Sequence, residues 1–256
     1  MSLAFRRSTI ARFALAPLAP ICSLSHAQIF ADDFNAGASP LWSNERGDWS
    51  ASDGVYNAAN PTNNPPTRTL LPFVLRDLSL DVDVNGVRDG GVWVHYDPAT
   101  ENGVLLVTGG FSQQGDGLYW HIVRNGSYSG NLGHVPGLFA RGADIHLRII
   151  VRGDRYMAFL NGACTAATTL VTDEFPTGRV GLYDYFSTQT FDNVLLDAAP
   201  PVIADFNGDG GVDGADVEAF FAAWENGLPE SDVNADGGID GADVEAFFTA
   251  WENGCD

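Results

Sequence analysis

The sequence predicts a mainly β chain, a two-sheet sandwich followed by a small α-helical module made of two loop-and-helix repeats. Three observations carry that reading. Residues 28–197 show period-two patterning interrupted at short intervals by Gly and Asn turns, with little sustained helical periodicity. The run Ala198-Ala199-Pro200-Pro201 then breaks the pattern, because a proline pair cannot continue a helix and favours extended backbone. Finally, ADFNGDGGVDGADVEAFFAAWENG from Ala204 is nearly repeated as SDVNADGGIDGADVEAFFTAWENG from Ser231.

Taken in chain order, residues 1–27 read as a segment removed before the protein works. Arg6, Arg7 and Arg12 precede an apolar run from Phe13 to Leu24, and Ser25-His26-Ala27 suits cleavage before Gln28. This is the pattern of a secretory signal peptide, and it predicts a secreted or cell-surface protein of bacterial-type export. A membrane span is excluded here, since Pro17 and Pro20 interrupt a run shorter than the roughly 18 residues a span needs. Beyond the signal only Cys164 and Cys255 remain. They would pair only if the C-terminal module folds back on the body, and two free thiols are an equal alternative.

Charge narrows the partners. The chain has 33 acidic and 13 basic residues, for a net charge of −20, and every basic residue is Arg. Such a surface repels phosphate backbones, which excludes nucleic acid as a natural partner. From Asp205 to Asp256 there are 14 acidic residues and no basic one. That segment is also rich in Phe, Trp, Val and Ala, so a cation site fits it better than a solvated acidic tail.

Residues 28–197 supply the strands. GVWVHY (Gly91 to Tyr96), GVLLVTG (Gly103 to Gly109) and GLYWHIVR (Gly117 to Arg124) alternate in the sense a half-buried strand requires. In IHLRIIVRGDRYMAFLNG, Ile145, Leu147, Ile149 and Val151 share one face, and Gly153-Asp154 is a two-residue hairpin turn. With the opening FADDF, then FPTGRVGLYDY and QTFDNVLLD, this order resembles the concanavalin A-like jelly-roll superfamily, which includes laminin-G-like domains, carbohydrate-binding modules and glycosidases. The resemblance implies a jelly-roll sandwich of ten or so strands. It leaves the activity open, because that fold hosts lectins, hydrolases and adhesive domains alike.

For a hydrolase, two carboxylates about 5 Å apart are needed, and Asp81 and Asp83 in LSLDVDVNG are the nearest pair. The Glu-x-Asp-x-x-Glu run of laminarinase-like jelly rolls is absent, so a strand with its acids outward explains them better. No catalytic residue is assigned. For sugar binding, exposed aromatics matter, and among Trp42, Trp49, Trp93, Tyr96, Tyr119, Trp120 and Tyr128 one or two are expected to be exposed. Trp93, Tyr96 and Trp120 are the candidate ligand-binding positions; strict alternation allows only one of Trp93 and Tyr96 on a given face. His95, His121, His134 and His146 lack the paired spacing of a zinc site. Jelly-roll modules often hold a structural calcium where the termini adjoin, which singles out Asp33 and Asp192, although turn and strand-end roles explain both.

The repeat, residues 204–256 after a linker at 198–203, is the most specific feature. Asp205, Asn207, Asp209, Gly211, Asp213 and Asp216 are matched by Asp232, Asn234, Asp236, Gly238, Asp240 and Asp243, 27 residues on. These are positions 1, 3, 5, 7, 9 and 12 of a calcium loop, with Gly210 and Gly237 at the sharp turn of position 6. Hard oxygens in that spacing suit Ca²⁺, one ion per loop. Val212 and Ile239 at position 8 would join the loops by a short β bridge. After each loop, Val217, Phe220, Phe221 and Trp224, and their counterparts Val244, Phe247, Phe248 and Trp251, fall on one helical stripe.

A tandem of loop-then-helix units without entering helices resembles a type I dockerin. The resemblance implies two bound Ca²⁺ and docking to a cohesin-like protein in an extracellular polysaccharide-processing setting. The partner-facing positions depart from the family, with Gly214-Ala215 and Gly241-Ala242 where a hydroxyl pair is common. The combined expectation is a secreted non-catalytic protein whose sandwich binds carbohydrate or a surface ligand. A dockerin-bearing glycoside hydrolase and a structural assembly protein are the alternatives.

Overall fold

The computed structural model describes residues 28–109, 116–163, 165–186, 188–198, 203–234 and 236–253. The predicted signal peptide, Cys164, Cys255 and most of the proline linker lie outside them. Sixteen strands and two α-helices are present among the described residues, more strands than the sequence pattern alone suggests.

Two antiparallel sheets face each other. The first contains β1 (Gln28–Asp32), β3 (Asp48–Ser52), β4 (Val55–Ala59), β6 (Leu78–Asn85), β12 (Ile145–Arg152), β13 (Arg155–Leu160), β14 (Thr168–Val171) and β16 (Thr190–Asp197). Its order is β14-β13-β12-β6-β16-β4-β3, with β1 also on β16, so the first and last strands adjoin. The second contains β2 (Ser43–Arg46), β5 (Thr67–Leu70), β7 (Asp89–Asp97), β8 (Asn102–Gly109), β9 (Leu118–Arg124), β10 (Ser127–Tyr128), β11 (Leu132–Val135) and β15 (Arg179–Asp184). Its order is β10-β9-β8-β7-β15-β5-β2, with β11 also on β9.

Alternation along each strand builds the core. Leu80, Val82 and Val84 of β6 and Ile145, Leu147, Ile149 and Val151 of β12 meet Val92, Val94, Val104, Leu106 and Leu118 of the opposite sheet. Each such side chain contributes roughly 1.5–3 kcal/mol when fully withdrawn from water. At the end of the sandwich Phe34, Trp42 and Tyr56 stack, and Trp49 packs on Tyr56 at a ring separation of 5.1 Å.

One strand breaks the alternation, and the site depends on it. His95 takes a left-handed backbone (φ 48°), and the pairing register of β7 shifts against β8 between Val94 and Asp97. Trp93 and Tyr96 therefore point the same way, with ring centroids 4.4 Å apart, contrary to strict alternation. The displaced His95 is buried, within 2.7 Å of the Tyr156 hydroxyl and donating from Nε2 to the Arg76 carbonyl. Gly178 is required against it, because a Cβ there would lie 2.2 Å from the His95 carbonyl carbon.

The repeat follows as α1 (Gly214–Glu225) and α2 (Gly241–Asn253), joined through a short 3-10 turn at Pro229–Ser231. Asp213 and Asp216 form a reciprocal capping box at the start of α1. Gly227 (φ +62°) ends it, with Leu228 N–H donating to Ala223 O and Gly227 N–H to Trp224 O, a Schellman closure. The helices meet through Phe220 and Phe247, stacked at 4.2 Å with an interplanar angle of 1°. Trp224 Nε1 donates to Asp240 O, and Trp251 Nε1 donates to Asp213 O. These reciprocal contacts join the copies; no β bridge links Val212 to Ile239 among the described residues.

Candidate functional site

The outer face of the second sheet carries its own cluster, separate from the core between the sheets. Leu70, Trp93, Tyr96, Leu105, Val107, Tyr119, Val123 and Tyr183 project there from five strands. Tyr128 on β10 stands beside them with 37% of its surface exposed, its ring 6.5 Å from that of Trp93.

A cavity of about 140 Å³ opens over this floor, lined among others by Arg46, Arg68, Trp93, Tyr96, Glu101 and Tyr128. Arg46 Nη2 donates to Glu101 Oε1 at 2.7 Å, and Arg68 Nη2 reaches the same oxygen at 3.5 Å. The hydrogen bond from Arg46, followed by the charges of both arginines, holds the Glu101 carboxyl below its usual range. Two guanidiniums thus face one carboxylate in a chain of net charge −20. The Arg68 guanidinium also lies over the Tyr96 ring, 4.9 Å from its centroid. Yet Arg68 Nε and Nη1, like Trp93 Nε1, are buried without a hydrogen-bond partner. A buried donor left in that state costs roughly 1–3 kcal/mol.

A second cavity of about 190 Å³ shares Tyr128 with the first and is lined by Asn63, Asp89, Tyr119, His121 and Tyr183. Burial pushes the Asp89 carboxyl up to about 6, with the neighbouring Tyr183 hydroxyl acting the other way. Burial also lowers His121, whose Nδ1 lies 2.9 Å from the Ser129 carbonyl. Tyr183 donates to Asn63 Oδ1 at 3.0 Å.

The predicted positions separate cleanly. Trp93 and Tyr96 line the cleft, but as its buried floor, while Tyr128 supplies the exposed ring. Trp120 is on the opposite face of β9, fully buried between the sheets and donating to Thr168 Oγ1 at 3.2 Å. Its assignment as a ligand contact is corrected to a core role. Asp81 and Asp83 lie on the outer face of the first sheet, where His146 sits between them at 3.0 and 2.7 Å. Asn193 Nδ2 also donates to Asp83. Both acids are thus engaged by a cross-strand histidine on the outer face of the sheet. Asp33 accepts from the Asn35 backbone, as a turn residue does, and Asp192 lies within β16, where it accepts from the Asn193 backbone.

Arg46, Arg68, Glu101 and Asp89 were not singled out by the sequence. Each comes from a different strand or turn, so no local spacing joins them. The available signal was an arginine inside TRTL, a run short enough to be buried on both faces.

In the repeat, the acids hold the loop backbone. Asp205 accepts from Asp209 N–H and Gly210 N–H, Asn207 Oδ1 from Asp209 N–H, and Asp209 Oδ1 from Gly211 N–H. Asp216 accepts from Asn207 N–H and Asp213 N–H, while Asp213 caps Ala215. The second copy reproduces this with Asp232, Asn234, Asp236, Asp240 and Asp243, Gly238 standing for Gly211. No group of three or more His, Cys, Asp or Glu among the described residues is arranged to hold a metal ion. The donor set itself is one of hard oxygens, the carboxylates of Asp205, Asp209, Asp213 and Asp216 and the amide of Asn207, which is the kind a Ca²⁺ loop uses.

No protein-family model and no curated protein matches the chain. Among solved structures it resembles a carbohydrate-binding module, CBM66, of Bacillus subtilis, with a TM-score of 0.53 at 18% identity over 62% of this chain and 96% of that one. It also resembles the Bacillus licheniformis beta-glucanase, at TM-score 0.49 and 11% identity over 66% and 97% of the two chains. A third likeness is to the VIP36 exoplasmic/lumenal domain in a Ca²⁺/Man3GlcNAc-bound form, at TM-score 0.47 and 12% identity over 66% and 87%. Of these three, the first alone exceeds 0.5, and its low identity establishes the fold alone. The class of protein defined here is a jelly-roll sandwich bearing an aromatic cleft on one outer sheet face. No helix among the described residues is long and apolar enough to cross a membrane.

Proposed function

We propose that the protein is an exported, non-catalytic carbohydrate-binding protein. Its glycan lies on the outer face of the second sheet, over Trp93 and Tyr96 and against Tyr128. One observation carries this reading: apolar rings and unpaired buried donors converge on one cavity, the combination that sugar recognition uses. That the module it resembles is described as carbohydrate binding supports the same reading. In affinity electrophoresis against a panel of soluble polysaccharides, the full chain is expected to be retarded by at least one of them. Tyr128→Ala should weaken that retardation up to about tenfold, in keeping with the roughly 0.5–1.5 kcal/mol expected of an aromatic ring contact. Free migration through every polysaccharide would refute it.

The C-terminal repeat is proposed to bind two Ca²⁺, through Asp205, Asn207, Asp209, Gly211, Asp213 and Asp216 in one loop. The second loop would use Asp232, Asn234, Asp236, Gly238, Asp240 and Asp243. In-register doubling of the donors supports this, as does the crowding of carboxylates around Asp205. So charged, the repeat would attach the sandwich to a cohesin-like protein outside the cell. Calorimetric titration of the chelator-treated chain should give two equivalents of Ca²⁺, and Asp216→Asn and Asp243→Asn should each remove one. A stoichiometry of zero would end the dockerin-like reading.

A hydrolytic role is the second reading, favoured by Asp89, a carboxyl poised at about 6 in the adjoining cavity. Reducing-sugar release by the full chain, abolished by Asp89→Asn, would replace binding with catalysis.

A further inference from the structure

We propose that the saccharide held over Trp93 and Tyr96 carries a carboxylate, a hexuronate unit, and that Arg68 is its principal ligand with Arg46 beside it. This inference rests on the carbohydrate reading of the same cleft and names the substrate class within it.

Donor and acceptor counting leads there. Arg68 is only 5% exposed, and it lines the cavity with two of its N–H positions, Nε and Nη1, unpartnered. Trp93 Nε1 is a third donor of the same kind on the same cavity. The acceptor already present, Glu101 Oε1, takes Arg46 Nη2 and Arg68 Nη2, and leaves the Nε and Nη1 positions of Arg68 unmatched. Nε forms a fork with one N–H of Nη2, and Nη1 forms a fork with the other, and the fork that Glu101 leaves open fits two oxygens of one carboxylate, which a hydroxyl cannot satisfy as a pair. Charge agrees with geometry: Arg46 and Arg68 against Glu101 leave an excess positive charge within an otherwise strongly acidic protein. The Arg68 guanidinium carbon lies over the Tyr96 ring, which holds the group against the cavity floor. Its neighbour Tyr128 offers an exposed ring on which the sugar ring can lie, so one residue class grips the acid and the other the ring. A cavity of about 140 Å³ has room for a carboxylate and the ring that carries it.

The test uses the full chain with polygalacturonate, glucuronan and alginate, each alongside its methyl ester, and a neutral xylan. Binding to at least one polyuronate, with its ester bound at least tenfold more weakly, is the expected result. Arg68→Gln should lower the affinity for the acid at least tenfold and so erase most of the preference for acid over ester. Because a buried arginine can be needed for folding, Glu101→Gln provides the complementary arm. Removing the competing carboxylate frees both guanidiniums, so it should tighten polyuronate binding severalfold, a gain that misfolding cannot imitate. Equal binding of acid and ester, or binding of xylan alone, overturns the uronate assignment and leaves the carbohydrate reading standing. Failure of every glycan to bind overturns both.

Discussion

The sandwich and the C-terminal repeat bury their apolar residues by different means. Between the two sheets, branched aliphatic side chains from many strands interlock with Trp42, Tyr56, Trp120, Tyr156 and Phe191, and few carboxylates intrude. Among the described residues of the repeat, the buried apolar ones are Ala204, Phe220, Ala223, Phe247 and Ala250, and Asp205, Asp216 and Asp243 are buried beside them. Apolar burial alone can carry a domain of the first kind. The second is too small and too acidic to do so, and units of that size ordinarily require a bound ion or a neighbour.

The largest expected effects test each core at its centre. Trp120→Ala removes a fully buried indole and its hydrogen bond to Thr168, and should cost about 3–5 kcal/mol in denaturant unfolding followed by the β signal. The helical signal should outlast it. Phe247→Ala breaks the stack on Phe220 and carries a nominal cost of the same size, about 3–5 kcal/mol. A unit with so few enclosed residues cannot absorb that loss. The helical circular dichroism of the repeat should therefore disappear while the sandwich still melts at its own temperature. If both variants lowered both transitions together, the two regions would be one cooperative unit and the contrast would fail.

A third effect distinguishes the regions by pH. Burial pushes Asp184, fully enclosed in the sandwich, up to about 7 from 3.8, against hydrogen bonds from the Phe186 and Ala58 backbones. Between those values the native state binds a proton that the unfolded state does not. Its contribution therefore stabilises the sandwich as pH falls from 7 toward 4, and is lost as pH rises through 7. At about 1.4 kcal/mol per unit, the slope amounts to a few kcal/mol across the window. Asp184→Asn should flatten the dependence of the sandwich melting temperature on pH, and an unchanged slope would remove Asp184 as its source.

What the residues disclosed on their own follows from how local each determinant is. Alternation in IHLRIIVR needs only neighbouring residues, and Ile145, Leu147, Ile149 and Val151 are indeed on the inner face. The duplicated loop and helix are equally local, and the stacked phenylalanines follow from their stripe. The cleft is different. It depends on a positive φ at His95, where the modest bias of histidine toward that region is overridden by the strand pattern of VWVHY, and on strands that meet only after the sheet has formed. Trp120 was misplaced for a related reason: alternation puts it opposite Tyr119 and His121, but only the partner sheet decides which side is covered.

The smallest expected effect concerns the seam between the two regions. Although the copies are nearly identical in sequence, the first loop is seated on the sandwich, with Ala166 N–H donating to Gly210 O at 2.9 Å. Gly210 is buried there, whereas its counterpart Gly237 is exposed. Both have left-handed backbones, φ +90° and +88°, so an alanine at either position carries about 1–2 kcal/mol of strain. Only at Gly210 would the new methyl also meet something: Met157 Sδ and Ala166 Cβ at 3.2 Å, against nothing within 4 Å at Gly237. Met157 can yield by rotation, but the Ala166 Cβ is tied to its backbone, so a remainder of about 1 kcal/mol is expected. Gly210→Ala should therefore lower the melting temperature of the repeat more than Gly237→Ala does. It should also disturb the amide exchange of Ala166, which Gly237→Ala leaves untouched. Equal losses from the two variants would mean that the first loop gains nothing from its seat, and that the copies are as equivalent in the fold as they are in sequence.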